Sequence, residues 1–329
     1  MRLSRAAAVL AALWLSACAT AAPAPVWTGG PAGSAVGWTA GEAEVRPIGL
    51  GVPGGAMLAR EVRFAGGVQL VLAADSPLHS LSDLKLIDGD DFVSVSDAGD
   101  LVRGRLRLDA AGRLRGVEGL RWRRLMLEDG SPITDKADGD AEGLFLMAGG
   151  RVAVAFERRH RLWAYGLAAP GAPEPLAAPE ADFPLNDGME GVAAAPGGWR
   201  VAGESGGVWG CAARGCRVVT QPPAEPVPDS DYRITGMDRD PGGDGFWVVE
   251  RRYRPPVDVR GRIRRMAADG TLGPVLVELS LPSTVDNFEG IAAVARADGT
   301  RLYILSDDNG SERQRTLLLA FDVRPAPTP

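Results

Sequence analysis

One shape recurs five times along this chain of 329 residues, and the recurrence restricts the fold more than any single motif does. Each copy holds a small or acidic pair, an apolar strand, a Gly-rich turn and a second apolar strand ending in an acid or serine. The copies run from Ser82-Asp83 to Ser96-Asp97, from Glu142-Gly143 to Phe156-Glu157 and from Glu190-Gly191 to Gly203-Glu204. The last two run from Thr235-Gly236 to Glu250 and from Glu289-Gly290 to Ser306-Asp307. First slot and second slot are 14 or 15 residues apart in four copies and farther apart in the fifth. Further strand-like runs follow, such as Leu162–Tyr165 and Leu317–Phe321, so the unit reads as a four-stranded antiparallel blade. The architecture that repeats such blades is an all-β propeller. Glu61–Phe64 and Val68–Leu72 supply a sixth set of strands, with closure between the chain ends, so the spacing favours six blades over five or seven. A β-sandwich with coincidental spacing is the competing fold. The 43 Gly and 25 Pro, spread along the length, exclude long helices.

The N-terminus carries an address. Arg2 and Arg5 precede the apolar run Ala6–Leu15, the charged and hydrophobic regions of a secretion signal, too short to span a bilayer. Leu15-Ser16-Ala17-Cys18 then resembles the lipobox of bacterial lipoproteins, in which Cys18 becomes the lipidated first residue. Ordinary cleavage near Ala22 is the alternative. With Ala19 after the cysteine, the lipoprotein rule implies an outer-membrane anchor facing the periplasm. The expected organisation is a signal peptide over 1–17, a flexible tether over 18–43, the propeller over 44–323 and a tail over 324–329. Removing 1–17 takes two arginines and no acid, leaving 34 basic against 42 acidic residues, a charge of −8 that excludes a nucleic-acid footprint. Cys211 and Cys216 in an oxidising compartment are expected to form a disulfide across a hairpin tip. Zinc would need further ligands that His79 and His160 do not provide.

The repeat also places the acids. A residue recurring at the edge of the innermost strands forms a ring around the propeller axis, and here it is often glutamate. Glu142, Glu190 and Glu289 share the first slot, with Asp140, Asp187 and Asp286 just before them. Glu157, Glu204 and Glu250 are read into the second slot, together with Asp97 and Asp307. Crowded carboxylates repel unless a cation or proton intervenes, and oxygen ligands without histidine suit Ca²⁺ or Mg²⁺. The expectation is catalysis at Glu142, Glu190 and Glu289, with Ca²⁺ held by Glu157, Glu204, Glu250, Asp97 and Asp307. Arg158 and Arg251, each following a second-slot glutamate, are the candidates to bind a small anionic substrate. A purely structural ring of Glu–Arg pairs is the competing reading.

The run Ser82–Asp97, the turns at Glu142-Gly143, Met189-Glu190-Gly191 and Phe288-Glu289-Gly290, and Leu302–Asn309 together resemble the phytase-like, or esterase-like activity of phytase, family of secreted bacterial propellers. The resemblance covers roughly residues 45–323. It implies a propeller and calcium-assisted hydrolysis of a phosphoester or related ester; a non-catalytic binding or scaffolding propeller is the alternative. Gly203-Glu204-Ser205-Gly206-Gly207 fits the nucleophile-elbow pattern, but both histidines precede Ser205 and no helix signal follows, so a hairpin turn explains it.

Overall fold

The computed structural model describes residues 37–324. Among these, regular structure is strand throughout apart from one helical turn, Lys136–Gly139. Consecutive strands pair antiparallel into meanders, most of them joined by short turns. Blade 1 comprises Leu81–Asp88, Asp91–Ser96, Asp100–Leu108 and Leu114–Arg124. Blade 2 comprises Ala141–Met147, Arg151–Phe156, Arg161–Gly166 and Glu174–Leu176. Blade 3 comprises Gly191–Ala195, Gly198–Ala202, Val208–Ala212 and Gly215–Thr220. Blade 4 comprises Arg233–Arg239, Phe246–Arg254, Asp258–Met266 and Leu272–Ser280, with Ala56–Leu58 added at its outer edge. Blade 5 comprises Asn287–Arg296, Gly299–Asp307 and Thr316–Val323, and its fourth strand comes from the other end of the chain, Val62–Val71.

The five first strands neighbour one another in ring order and close on themselves, which defines the propeller axis. The apolar core follows the same count: five clusters, one between each adjacent pair of blades. Phe156 with Val95 and Leu144 fills the gap between blades 1 and 2, and Phe288 with Val249 and Phe321 that between blades 4 and 5. Stacking blade on blade buries both faces of every sheet, the main stabilising term in such a ring. The closing strand locks the first segment of the propeller to the last, as expected from the sequence.

The blade count is five and not six. Glu61–Phe64 and Val68–Leu72 are not two strands of a further blade; Val62–Val71 is one ten-residue strand running through Gly66 and Gly67. Gly66 sits at φ 102° against the backbone of Leu114, where a side chain would collide at 2.3 Å, so the strand bends there to touch blade 1 without ending. The glycines that follow the first slot of the repeat have a related cause. A Cβ on Gly143 would lie 2.6 Å from the carbonyl oxygen of Glu190, and one on Gly236 2.0 Å from that of Glu289, so neighbouring inner strands approach closely only through glycine. Cys211 and Cys216 face each other on the third and fourth strands of blade 3 and are joined by a disulfide, Cα to Cα 4.0 Å. Cys18, the signal segment, most of the tether and residues 325–329 lie outside the described residues.

A candidate carboxylate site at the channel mouth

The start of an inner strand is irregular in four blades. Register slips by one residue around Ser82, Glu142, Thr235 and Glu289, each an extra residue against its partner strand. A bulge re-aims a side chain and stops pairing, which is how these residues come to line the mouth of the axis. Glu190 takes the same place directly before Gly191–Ala195. The first slot of the ring is therefore Ser82, Glu142, Glu190, Thr235 and Glu289.

Registration across the hairpins defines the second slot. Ser96 pairs with Leu81, Phe156 with Ala141, Glu250 with Ile234 and Ser306 with Phe288. The residues one step on are Asp97, Glu157, Arg251 and Asp307, with Glu204 taking the same place in blade 3. Glu250 is thus not a ring residue. Successive side chains of a strand point to opposite faces, and Glu250 accepts a forked pair of hydrogen bonds from Arg262, at 2.6 Å and 3.0 Å, inside blade 4. Its assignment as a metal ligand is withdrawn, and Arg251 stands in its slot.

Five of the acids converge. Carboxylate oxygens of Asp140, Glu142 and Glu157 lie within 4.8 Å of one another, as do those of Glu157, Glu190 and Glu204; Glu157 belongs to both groups. Cations attend the edges of this cluster. Lys136 Nζ lies 2.7 Å from Asp97 and 2.6 Å from Asp140, and Arg158 donates to Asp140 as well. Arg233 lies 2.9 Å from Glu204 and also pairs with Asp187, while Arg251 Nη2 donates to Glu204 at 2.8 Å and lies 3.9 Å from Glu289. Arg158 is therefore committed to Asp140 rather than offered to a substrate. At the centre the situation differs: among the described residues no donor hydrogen-bonds to the side chains of Glu142, Glu157 or Glu190, and none of the three is in an ion pair.

Electrostatics follow the geometry. Burial first, then the charges of Glu190, Asp140 and Glu289, hold the Glu142 carboxyl well above the ordinary range. Burial with Glu204 and Glu289 does the same to Glu190. Glu157 is pushed up to about 8 by burial and by Asp140 and Glu204. Glu289 rises to about 7, burial outweighing the attraction of Arg251. Asp307 stands well above its usual value through burial and the charges of Glu289 and Asp97; its carboxylate accepts from the Asn309 amide, and neither Asp97 nor Asp307 belongs to the two converging groups. The donor set at the centre is all carboxylate oxygen, without thiol or imidazole, and is short of positive charge, so it fits a hard divalent cation.

Sequence reasoning missed Arg233 and Lys136, which compensate the ring, and Lys85, which lies deeper on the axis. Lys85 Nζ, 2.6 Å from Asp83, also donates to the carbonyls of Leu84 and Ile291. Ser205 lies in the turn after Gly198–Ala202 and has no histidine partner.

A five-bladed phytase-like propeller with an acidic axial mouth is what sequence and fold together define. The profile of the family described as Phytase-like, esterase-like activity of phytase, matches residues 76–310, and the chain belongs to this family. No curated protein matches the sequence. Solved structures similar to it include virginiamycin B lyase from Staphylococcus aureus, at 10% identity and TM-score 0.42, covering 86% of this chain and 100% of that one. The PQQ-bound aldose sugar dehydrogenase from Streptomyces coelicolor is another, at 14% identity and TM-score 0.40, covering 86% and 100%. Among the described residues no helix is long and apolar enough to cross a membrane.

Proposed function

We propose that the protein is a divalent-cation-dependent hydrolase of phosphoesters or related esters, anchored through lipid on Cys18 to the periplasmic face of the outer membrane. The observation that carries the activity is that Glu157 converges with Glu142 in one carboxylate group and with Glu190 in another, with no donor for any of the three among the described residues; family membership supports the reaction class. Glu142, Glu157 and Glu190, with Asp140 and Glu204, would hold the cation, Ca²⁺ being the first choice for a wide, all-oxygen set. Bound there, such an ion would offset the charge of the cluster and would supply Lewis-acid polarisation of a phosphoryl or carbonyl oxygen. Arg251 is positioned by Glu204 at the edge of the cluster, and its buried Nε has no partner, so it can orient an anionic group. Glu289 Oε2 is likewise buried and unpartnered, and a carboxyl that titrates at about 7 can take a proton from water near neutral pH.

The test is hydrolysis of an aryl phosphate and an aryl ester by the mature protein over a Ca²⁺ titration. Turnover that needs the ion and is lost in Glu157→Gln is expected. A second reading has its own observation: Lys136 ties Asp97 of blade 1 to Asp140 of blade 2, and Arg233 and Arg251 of blade 4 both reach Glu204 of blade 3, as a scaffold would use them. Absence of turnover, with a melting temperature indifferent to Ca²⁺ and chelator, would establish the scaffold. For the anchor, the intact mass of the mature protein should show acyl groups on Cys18; an unmodified N-terminus at Ala19 or later removes it.

A further inference from the structure

Arg251 has a second environment. Beyond the carboxylate cluster it forms the inner end of a cleft of about 550 Å³ between blades 4 and 5, whose far walls carry Tyr253, Val257, Leu281, Arg313 and Arg315. The volume is that of a site for a small organic ligand. Its apolar wall faces water: Val257 and Leu281 are 65% and 58% exposed, two of only six large apolar side chains so exposed among the described residues.

The charge of the cleft is nearly cancelled. Arg315 donates to Asp286 at 3.0 Å and to the carbonyl of Val285, and Arg251 is shared by Glu204 and Glu289. Arg313 lines the cleft exposed, and its side chain has no ion-pair partner among the described residues. One uncompensated guanidinium, with the unpartnered, buried Nε of Arg251 behind it, matches one anionic group. A polyol bearing six phosphates would bring about −9 to −12, at −1.5 to −2 for each, to a mouth already rich in carboxylates.

We infer that this cleft is the substrate subsite of the proposed hydrolase and that it selects a phosphate monoester with a single phosphoryl group and an apolar arm. The phosphoryl group is taken between Arg313 and Arg251, at the edge of the cluster beside Glu289. The aryl or alkyl arm lies on Tyr253, Val257 and Leu281. The inference rests on the hydrolase reading for its kinetics but not for its binding.

The experiment compares 4-nitrophenyl phosphate, glycerol phosphate and inositol hexakisphosphate with Ca²⁺ present, in wild type, in Val257→Ser/Leu281→Ser and in Arg313→Gln. Wild type should prefer the aryl ester. The double variant should lower the ratio of kcat/KM for the aryl over the glycerol ester about tenfold, the size of effect expected for lost apolar contacts in a pocket. Arg313→Gln should raise KM for both monoesters with kcat less affected. An unchanged ratio, or a wild type that prefers the hexakisphosphate, overturns the inference. If nothing is hydrolysed, the hydrolase reading fails and the cleft is judged by calorimetric binding of phenylphosphonate: saturable binding weakened by the double variant upholds it, and no binding overturns it.

Discussion

Two clusters of buried charge lie along one axis and are treated in opposite ways. Halfway down, Asp83 and Lys85 are almost wholly inaccessible, yet every polar atom is used. Asp83 accepts from the amides of Leu84, Ile291 and Leu144 and from Lys85, gathering the inner strands of blades 1, 2 and 5, and Lys85 adds two carbonyls. At the mouth, Glu142, Glu157 and Glu190 are also carboxyl groups withdrawn from water, and among the described residues no donor hydrogen-bonds to their side chains. Burial of a carboxylate is costly in both places. Asp83, completely buried, is raised only to about 6, because Lys85 and the amide donors oppose burial, whereas Glu157, less buried, reaches about 8. The charge of Asp83 is satisfied within the fold; under the proposed function, the open charge at the mouth is what an arriving cation would satisfy.

The sharpest way to break this contrast is Lys85→Met. It leaves Asp83 buried without its counter-ion, and loss of one partner of such a pair costs about 3–5 kcal/mol. Chemical denaturation should show that loss equally with and without Ca²⁺. A Ca²⁺-dependent loss would mean that the two clusters are one system.

Next in size is the response to the ion itself, and its pH window has a definite sign. Glu157 and Glu289 have folded-state values of about 8 and 7 against 4.5 in a free chain. The folded state therefore holds the protons more tightly. Their contribution to stability is complete below about pH 4.5 and is lost as pH rises through 7 and 8. In chelator, stability should fall over that range. Ca²⁺ at a hundredfold its dissociation constant should restore about 2.7 kcal/mol at pH 8 and much less at pH 5. Asp83, raised to about 6, falls in both conditions, so the difference between the curves reports the mouth alone. Parallel curves would count against the site.

How much of this the sequence carried depends on which residues are asked about. The Glu-Gly pairs were legible because glycine lets neighbouring inner strands approach closely, and they put Glu142, Glu190 and Glu289 in one slot, where they stand in the fold. Blade number was lost at Gly66-Gly67, which reads as a break between strands but is a bend within one. Glu250 was lost through equal spacing. Thr235 to Glu250 spans the same 15 residues as Glu142 to Glu157, but the turn Asp240–Gly245 of blade 4 carries the partner strand one residue farther, and one residue reverses the face. Lysine carries a signal of its own: only Lys85 and Lys136 occur beside a majority of arginines, and each bridges acceptors of neighbouring blades. A compact ammonium with three donors suits a tight point where acceptors converge from several strands, whereas a guanidinium spreads its donors in a plane.

Glu250→Gln sharpens the comparison inside a single blade. Its forked bond from Arg262 makes it a structural acid, of the Asp83 kind, though its sequence context copies that of Glu157. Weakening that charged pair should cost about 2 kcal/mol, with the Ca²⁺ response intact. Loss of the Ca²⁺ response in this variant would return Glu250 to the ring.

The smallest expected effect is the most telling, because its sign is reversed. Glu157→Gln removes a buried charge that no donor satisfies and that repels Asp140 and Glu204, while keeping the shape of the side chain. In chelator at pH 8 the variant should be more stable than wild type, by about 1 kcal/mol, less than the 1.36 kcal/mol carried by a single unit of pKa shift. It should also be flatter between pH 5 and pH 8, since the titration that erodes the wild type has gone. Ca²⁺ should then stabilise it little. A structural ring predicts the reverse: the cations at the edge would be left with less to hold, and stability would drop at every pH with or without the ion. Paired denaturation curves in chelator separate these outcomes, and a destabilised Glu157→Gln would remove the distinction drawn between the mouth and the Asp83–Lys85 pair.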